Sequence, residues 1–179
     1  TPVSTSINNT FSKSVNGTNF RSNMPFSLGT RPTSKLNVLV VYFCNSAPLR
    51  STLRDHLYSF RNYSGHNIIY LNLAVRGIPW YLKTVPIHLV IFHTLFLGRR
   101  GVEAGFGRLI KKAEFLKNSN SIKVVIPQDE FIHSEQLCQF INDFNVCHVF
   151  SSAPATEWPK IYSSIDRNRI NITQVLTGY

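Results

Sequence analysis

The chain has 179 residues, 43% of them hydrophobic, which is room for one globular domain with a sizeable core and not obviously for two. Its 19 Lys and Arg outnumber 9 Asp and Glu, so the formal charge of +10 favours anionic partners without choosing among phosphorylated substrates, nucleic acid and acidic lipid. Neither the sparse Cys44, Cys138 and Cys147 nor the six histidines have metal-ligand spacing, and the thiols fit reduced core residues in a reducing compartment.

Residues 1–35 are rich in Ser, Thr, Asn and Gly without periodicity, and read as a flexible polar linker or tail. Order begins at Leu36. Residues 36–44, LNVLVVYFC, are a continuous apolar run suited to a central strand, and Leu49, Leu53, Leu57 and Phe60 then recur at helical spacing. Asn45 or Ser46 is expected to cap that helix, with Pro48 in its first turn. Strands follow at residues 67–73 and 87–93, separated by a loop around Gly77. The most apolar stretch, 85–97, is too short to cross a bilayer and contains Pro86, His88 and His93; with no secretory signal visible, cytoplasmic placement is expected.

After Gly98, residues Val102, Phe106, Leu109, Ile110, Ala113 and Leu116 form one apolar helical stripe. A fourth strand in SIKVVIPQDEF, residues 121–131, stops abruptly at an amide and two acids. Ser134 is expected to cap a helix through Leu137, Phe140, Ile141 and Phe144, before a fifth strand at 146–150. Thr156 then caps a short helix with Pro159 in its first turn, and a last strand lies near 170–176. This alternation predicts an α/β fold: a Rossmann-like parallel sheet of about six strands, the first and fourth central, with right-handed crossovers and helices on both faces.

In such a sheet the chemistry gathers at the carboxyl ends of the strands. The candidate ligand contacts are therefore Asn45 and Ser46 after the first strand, Thr94 after the third, Gln128 and Glu130 after the fourth, and Ser151 and Ser152 after the fifth. His93 is placed to act as a general base towards an acceptor hydroxyl, its ordinary pKa being near neutrality, or to cap the chain through its ring. Asp129 and Glu130 are adjacent and diverge in an extended segment, so one reaches the cleft while the other ties down the loop. His88 should be structural. The rim has no dinucleotide glycine turn, no Gly-Lys-Ser/Thr phosphate loop and no Gly-x-Ser-x-Gly elbow.

Arg99, Arg100, Arg108, Lys111 and Lys112 cluster on one helix and its entry, either as a solvated face or as a surface for peripheral docking on anionic membrane. No nucleic-acid motif accompanies the charge, so nucleic acid is not an expected partner.

The strand ending in His93-Thr94, then KVVIPQDEF at 123–131, VFSSAP at 149–154, WPKIY at 158–162 and VLTGY at 175–179, resembles the amino-terminal half of bacterial-type, two-Rossmann-domain (GT-B) glycosyltransferases over residues 36–179. The resemblance implies a domain that shapes the acceptor side of a metal-independent transfer from a nucleotide-diphosphate sugar to a glycan or glycolipid. It assigns His93 and Asp129 to the cleft as catalytic residues. The family's donor-binding acid and phosphate-binding loop have no counterpart here. A second Rossmann domain beyond Tyr179 would have to hold the donor, no cofactor is expected in this chain, and on its own it should be inactive. The rival reading is a stand-alone flavodoxin-like binding module for an anionic ligand or a protein.

Overall fold

The computed structural model describes residues 34–45, 48–75 and 77–176. Ser46, residues 177–179 and nearly all of the expected linker lie outside the described residues.

The strands are β1 (Asn37–Tyr42), β2 (Asn67–Asn72), β3 (Leu89–Phe92), β4 (Ile122–Val125), β5 (His148–Ser151) and β6 (Asn171–Gln174). They form one sheet in the order β2-β1-β3-β4-β5-β6, with every neighbouring pair parallel. The expected α/β, Rossmann-like architecture is present. Its centre is β3 and β4, with β1 one place further out. The chain steps outward from β1 to β2, then returns across β1 to start β3, which opens a topological switch point between β1 and β3.

The helices are α1 (Ser51–Tyr63), α2 (Thr94–Leu97), α3 (Glu103–Ala113), α4 (Ser134–Asp143) and α5 (Trp158–Ile161). Because side chains alternate along a strand, Val38 and Val40 of β1 face one way and Leu39 and Val41 the other. The first pair packs with Leu57 and Phe60 of α1 and with Ile91 and Val124. The second belongs to the larger core, with Phe106 and Leu109 of α3, Phe140 and Ile141 of α4 and Ile161 of α5. Both faces carry helices, unequally: the smaller cluster is packed by α1 and by Leu95 of α2.

Helix starts differ from expectation. No side chain caps α1, whose preceding residue is Arg50, and Pro48 precedes the helix rather than joining its first turn. Leu49 packs into the α1-side core before the helix begins, which lengthens the loop carrying Asn45. Ser134 is the first residue of α4 rather than its cap; His133, left-handed at φ 50°, precedes it. Thr156 lies within a 3-10 turn, Ala155–Glu157, leading into α5. Residues 85–97 become the approach to β3, β3 itself and α2. Among the described residues no helix is long and apolar enough to cross a membrane.

Candidate functional site at the carboxyl edge of the sheet

The loop that leaves β4 is fastened on both sides. Asp129 adopts φ 50° and His133 φ 50°, so the loop is bracketed by two non-glycine residues in the left-handed region, which most side chains avoid. On the β3 side the clamp is Arg100, only 2% exposed. Its guanidinium donates to the carbonyls of Leu97 at 2.9 Å, Ile132 at 2.8 Å and Gln128 at 2.9 Å, and also to that of Asp129. Burial lowers the Arg100 pKa, opposed by Tyr162, Asp129 and Glu130, yet a guanidinium starts so high that it keeps its charge.

On the β5 side the clasp is Glu130, 1% exposed. It accepts from the Ser151 hydroxyl at 2.5 Å, the Ser152 amide at 2.6 Å and hydroxyl at 3.0 Å, the Ala153 amide at 3.2 Å, and the Tyr162 phenol. Burial first, then the neighbouring Glu130 charge, pushes the Tyr162 phenol well above its ordinary value, so it remains a neutral donor. Ser151 also accepts from the Trp158 indole at 3.1 Å. Glu130 and Ser151 are thus consumed by holding the β4 and β5 exits together, and are corrected from ligand contacts to fasteners.

What the fastened loop releases is Gln128, Asp129 and Phe131. Asp129 is exposed, and Phe131 is 71% exposed. Gln128 stands where three clefts meet. One, of about 240 Å³, runs past Leu53, Gly98 and Gly101. A second, of about 550 Å³, lies between the β4 and β5 exits and includes Ser152 and Glu157. The third, of about 410 Å³, is bounded by Thr52, Asp55 and His56 of α1 and by Val175 and Leu176. The Thr94 hydroxyl, which also lines the first and third clefts, donates to the Gln128 side chain at 3.4 Å. Of the paired acids, Asp129 is exposed and Glu130 is buried and ties the loop, but the backbone at Asp129 is left-handed and not extended.

His93 does not reach a ligand. Its side chain is fully buried at the start of α2, where Nδ1 accepts from the Leu95 amide at 3.1 Å. The proton of the neutral ring must then sit on Nε2, which is sealed and has no partner. Burial, and after it the nearby His56, push its pKa down to about 3. A neutral imidazole whose free lone pair is already engaged, shut from solvent, cannot take a proton from a hydroxyl. The reading of His93 as base is therefore corrected to a capping residue. The histidine that does line a cleft is His56, its ring 4.8 Å from that of His93 and its pKa lowered by burial. Thr52, Asp55 and His56 have the one-face spacing of a helix, a signal already present in the sequence.

Asn45 is exposed and lines none of these clefts; its loop is fixed through Asn72, whose side chain bonds the Cys44 amide and carbonyl at 3.0 and 2.8 Å. His88 is structural, accepting from the Asn37 amide at 3.0 Å. No group of metal-ligating side chains occurs among the described residues. The basic cluster is thinner than its composition suggests. Arg100 is internal, the Lys112 ammonium donates to the Leu73 carbonyl at 2.8 Å, and Arg99 lies over the Phe43 ring at 4.9 Å, leaving Arg108 and Lys111 exposed.

The clamp gives a direct expectation. Arg100→Lys keeps the charge and loses the fork that serves several carbonyls at once, so it should cost about 2–3 kcal/mol in urea unfolding. Hydrogen exchange at the Ile132 amide, which bonds the Asp129 carbonyl at 3.0 Å, should accelerate more than exchange in β1. Uniform acceleration would mean that Arg100 supports the whole fold and not this loop.

No protein-family model matches the chain, and comparison with curated proteins and with solved structures returns no match.

Proposed function

We propose that this domain is the acceptor side of a nucleotide-sugar-dependent glycosyltransferase acting on a glycan or glycolipid. The observation that carries the reading is the doubly fastened loop, which presents Gln128 where three clefts meet, and Asp129 in two of them, on the carboxyl edge of a parallel sheet. Asp129 serves as the carboxylate that orients the acceptor hydroxyl or, as base, takes up its proton, and Gln128, Thr94 and Ser152 supply hydrogen bonds around it. A second Rossmann-like domain holds the nucleotide diphosphate, so this chain alone transfers no sugar. Calorimetry and saturation-transfer measurements with nucleoside-diphosphate sugars should find at most feeble donor binding. Joined to a donor-binding domain, Asp129→Asn should lower kcat by about 10²-fold or more with little change in unfolding midpoint. Micromolar donor affinity in the isolated chain contradicts this division of labour.

The strand order supports a second reading. Through β5 it is the flavodoxin-like 2-1-3-4-5 arrangement, extended by β6, which suits a stand-alone binding module for an anionic ligand or protein. Tight, salt-sensitive binding of an anion with no sugar binding favours it. Either protein fits a cytoplasmic setting with peripheral attraction to anionic membrane through Arg108 and Lys111, which vesicle flotation across lipid charge and salt would test.

A further inference from the structure

Within a chain of formal charge +10, the cleft between the β4 and β5 exits is acidic. Its walls carry the carboxylates of Asp129 and Glu157, with the buried Glu130 behind them, and its one cation, Lys160, is paired with Glu157 at 3.2 Å. Phe131 stands at this cleft with 71% of its surface open, although an exposed aromatic ring on a strained loop is a costly use of apolar surface. The geometry points to this cleft as the seat of an uncharged sugar ring, stacked on Phe131 and hydrogen-bonded to Asp129 and Gln128. The inference rests on the transferase reading and assigns where its acceptor lies and what charge it carries.

The chemistry of the walls selects the ligand. Ionised carboxylates only accept hydrogen bonds, so the ligand must bring donors, and Gln128 can answer both a donor and an acceptor. A carboxylate or fully ionised phosphate brings no donors and meets three acidic side chains. A cationic ligand is repelled at long range by the molecule's net charge, and Lys160 already answers Glu157. A pyranose ring offers hydroxyls around its edge and a face of C–H groups, whose slight positive charge matches the negative face of an aromatic ring. About 550 Å³ is within the range of small-molecule sites. The backbone beneath is already fixed by Arg100 and Glu130, so binding does not have to order it.

The test is a titration of the isotope-labelled chain, followed residue by residue in amide NMR spectra. The probes are uncharged methyl glycosides of glucose, galactose, mannose and N-acetylglucosamine, against glucuronate and glucose 6-phosphate as anions and glucosamine as cation. At least one uncharged glycoside should bind with affinity on the order of millimolar, shifting residues 128–134 and 152–157. Phe131→Ala should weaken it about tenfold or more, with the thermal midpoint unchanged because the ring is exposed. Preference for the charged probes, shifts confined to residues 52–56, or full affinity in Phe131→Ala overturns the assignment and leaves the transferase reading standing. Absence of binding by every sugar overturns both.

Discussion

Replacing Glu130 by Gln should destabilise the domain by about 3–5 kcal/mol, among the largest effects of any conservative substitution in it. The side chain barely changes shape, so packing is not the cause. Its carboxylate is buried under donors only: the Ser151 and Ser152 hydroxyls, the Ser152 and Ala153 amides and the Tyr162 phenol. A glutamine places an NH2 among them, so one acceptor site becomes a donor facing donors and leaves groups of the β5 exit unsatisfied. Tyr162→Phe removes a single donor and should cost only about 1–2 kcal/mol. Urea unfolding of both variants and their double mutant reads the coupling, which should exceed about 1 kcal/mol. Additive losses would show Glu130 and Tyr162 to be independent, and the clasp would have to be described as separate contacts.

The sheet was legible because parallel strands buried on two faces leave continuous apolar runs, as in residues 36–44, and because helical stripes such as Val102, Phe106, Leu109 and Ala113 alternate with them. The rim was legible as a set of strand ends and much less so as side-chain roles. Arg99 and Arg100 are neighbours of one residue type, yet one lies over Phe43 and the other threads into the loop core. Nothing local distinguishes them, since the carbonyls that fix Arg100 come largely from residues some thirty positions away. Which of Asp129 and Glu130 faces outward is set by the left-handed turn at Asp129, a conformation that arises from those distant bonds. The exchange of His93 for His56 has the same origin: burial of a strand-end histidine depends on where α1 crosses, which is a tertiary fact. Helix caps failed for a related reason, because Leu49 is drawn into the core ahead of α1 and displaces the helix start from the capping residues.

Acidification should weaken the fold through His93. The folded ring is held to about 3 against an ordinary 6.5, by burial and then by His56. Between those values the unfolded chain binds a proton that the folded chain refuses, so unfolding takes up a proton and stability rises with pH. The contribution is complete above pH 6.5 and is lost progressively as pH falls towards 3, at up to about 1.4 kcal/mol per pH unit. Over the whole window the loss is on the order of 3–5 kcal/mol, comparable with the net stability of a small domain. His56, 4.8 Å away, and the half-buried His148 of β5, both with pKa lowered by burial, act in the same direction and steepen the fall. His93→Asn keeps an acceptor for the Leu95 amide and removes the proton site. That variant should be less stable than the parent at pH 7.5, where only the lost packing against His56 and Phe60 matters, yet its unfolding free energy should fall less steeply from pH 6.5 to 4.5. Urea titrations at pH intervals across this range decide the point: parallel curves for parent and variant would place the proton uptake on other groups and remove His93 as the origin of the acid sensitivity.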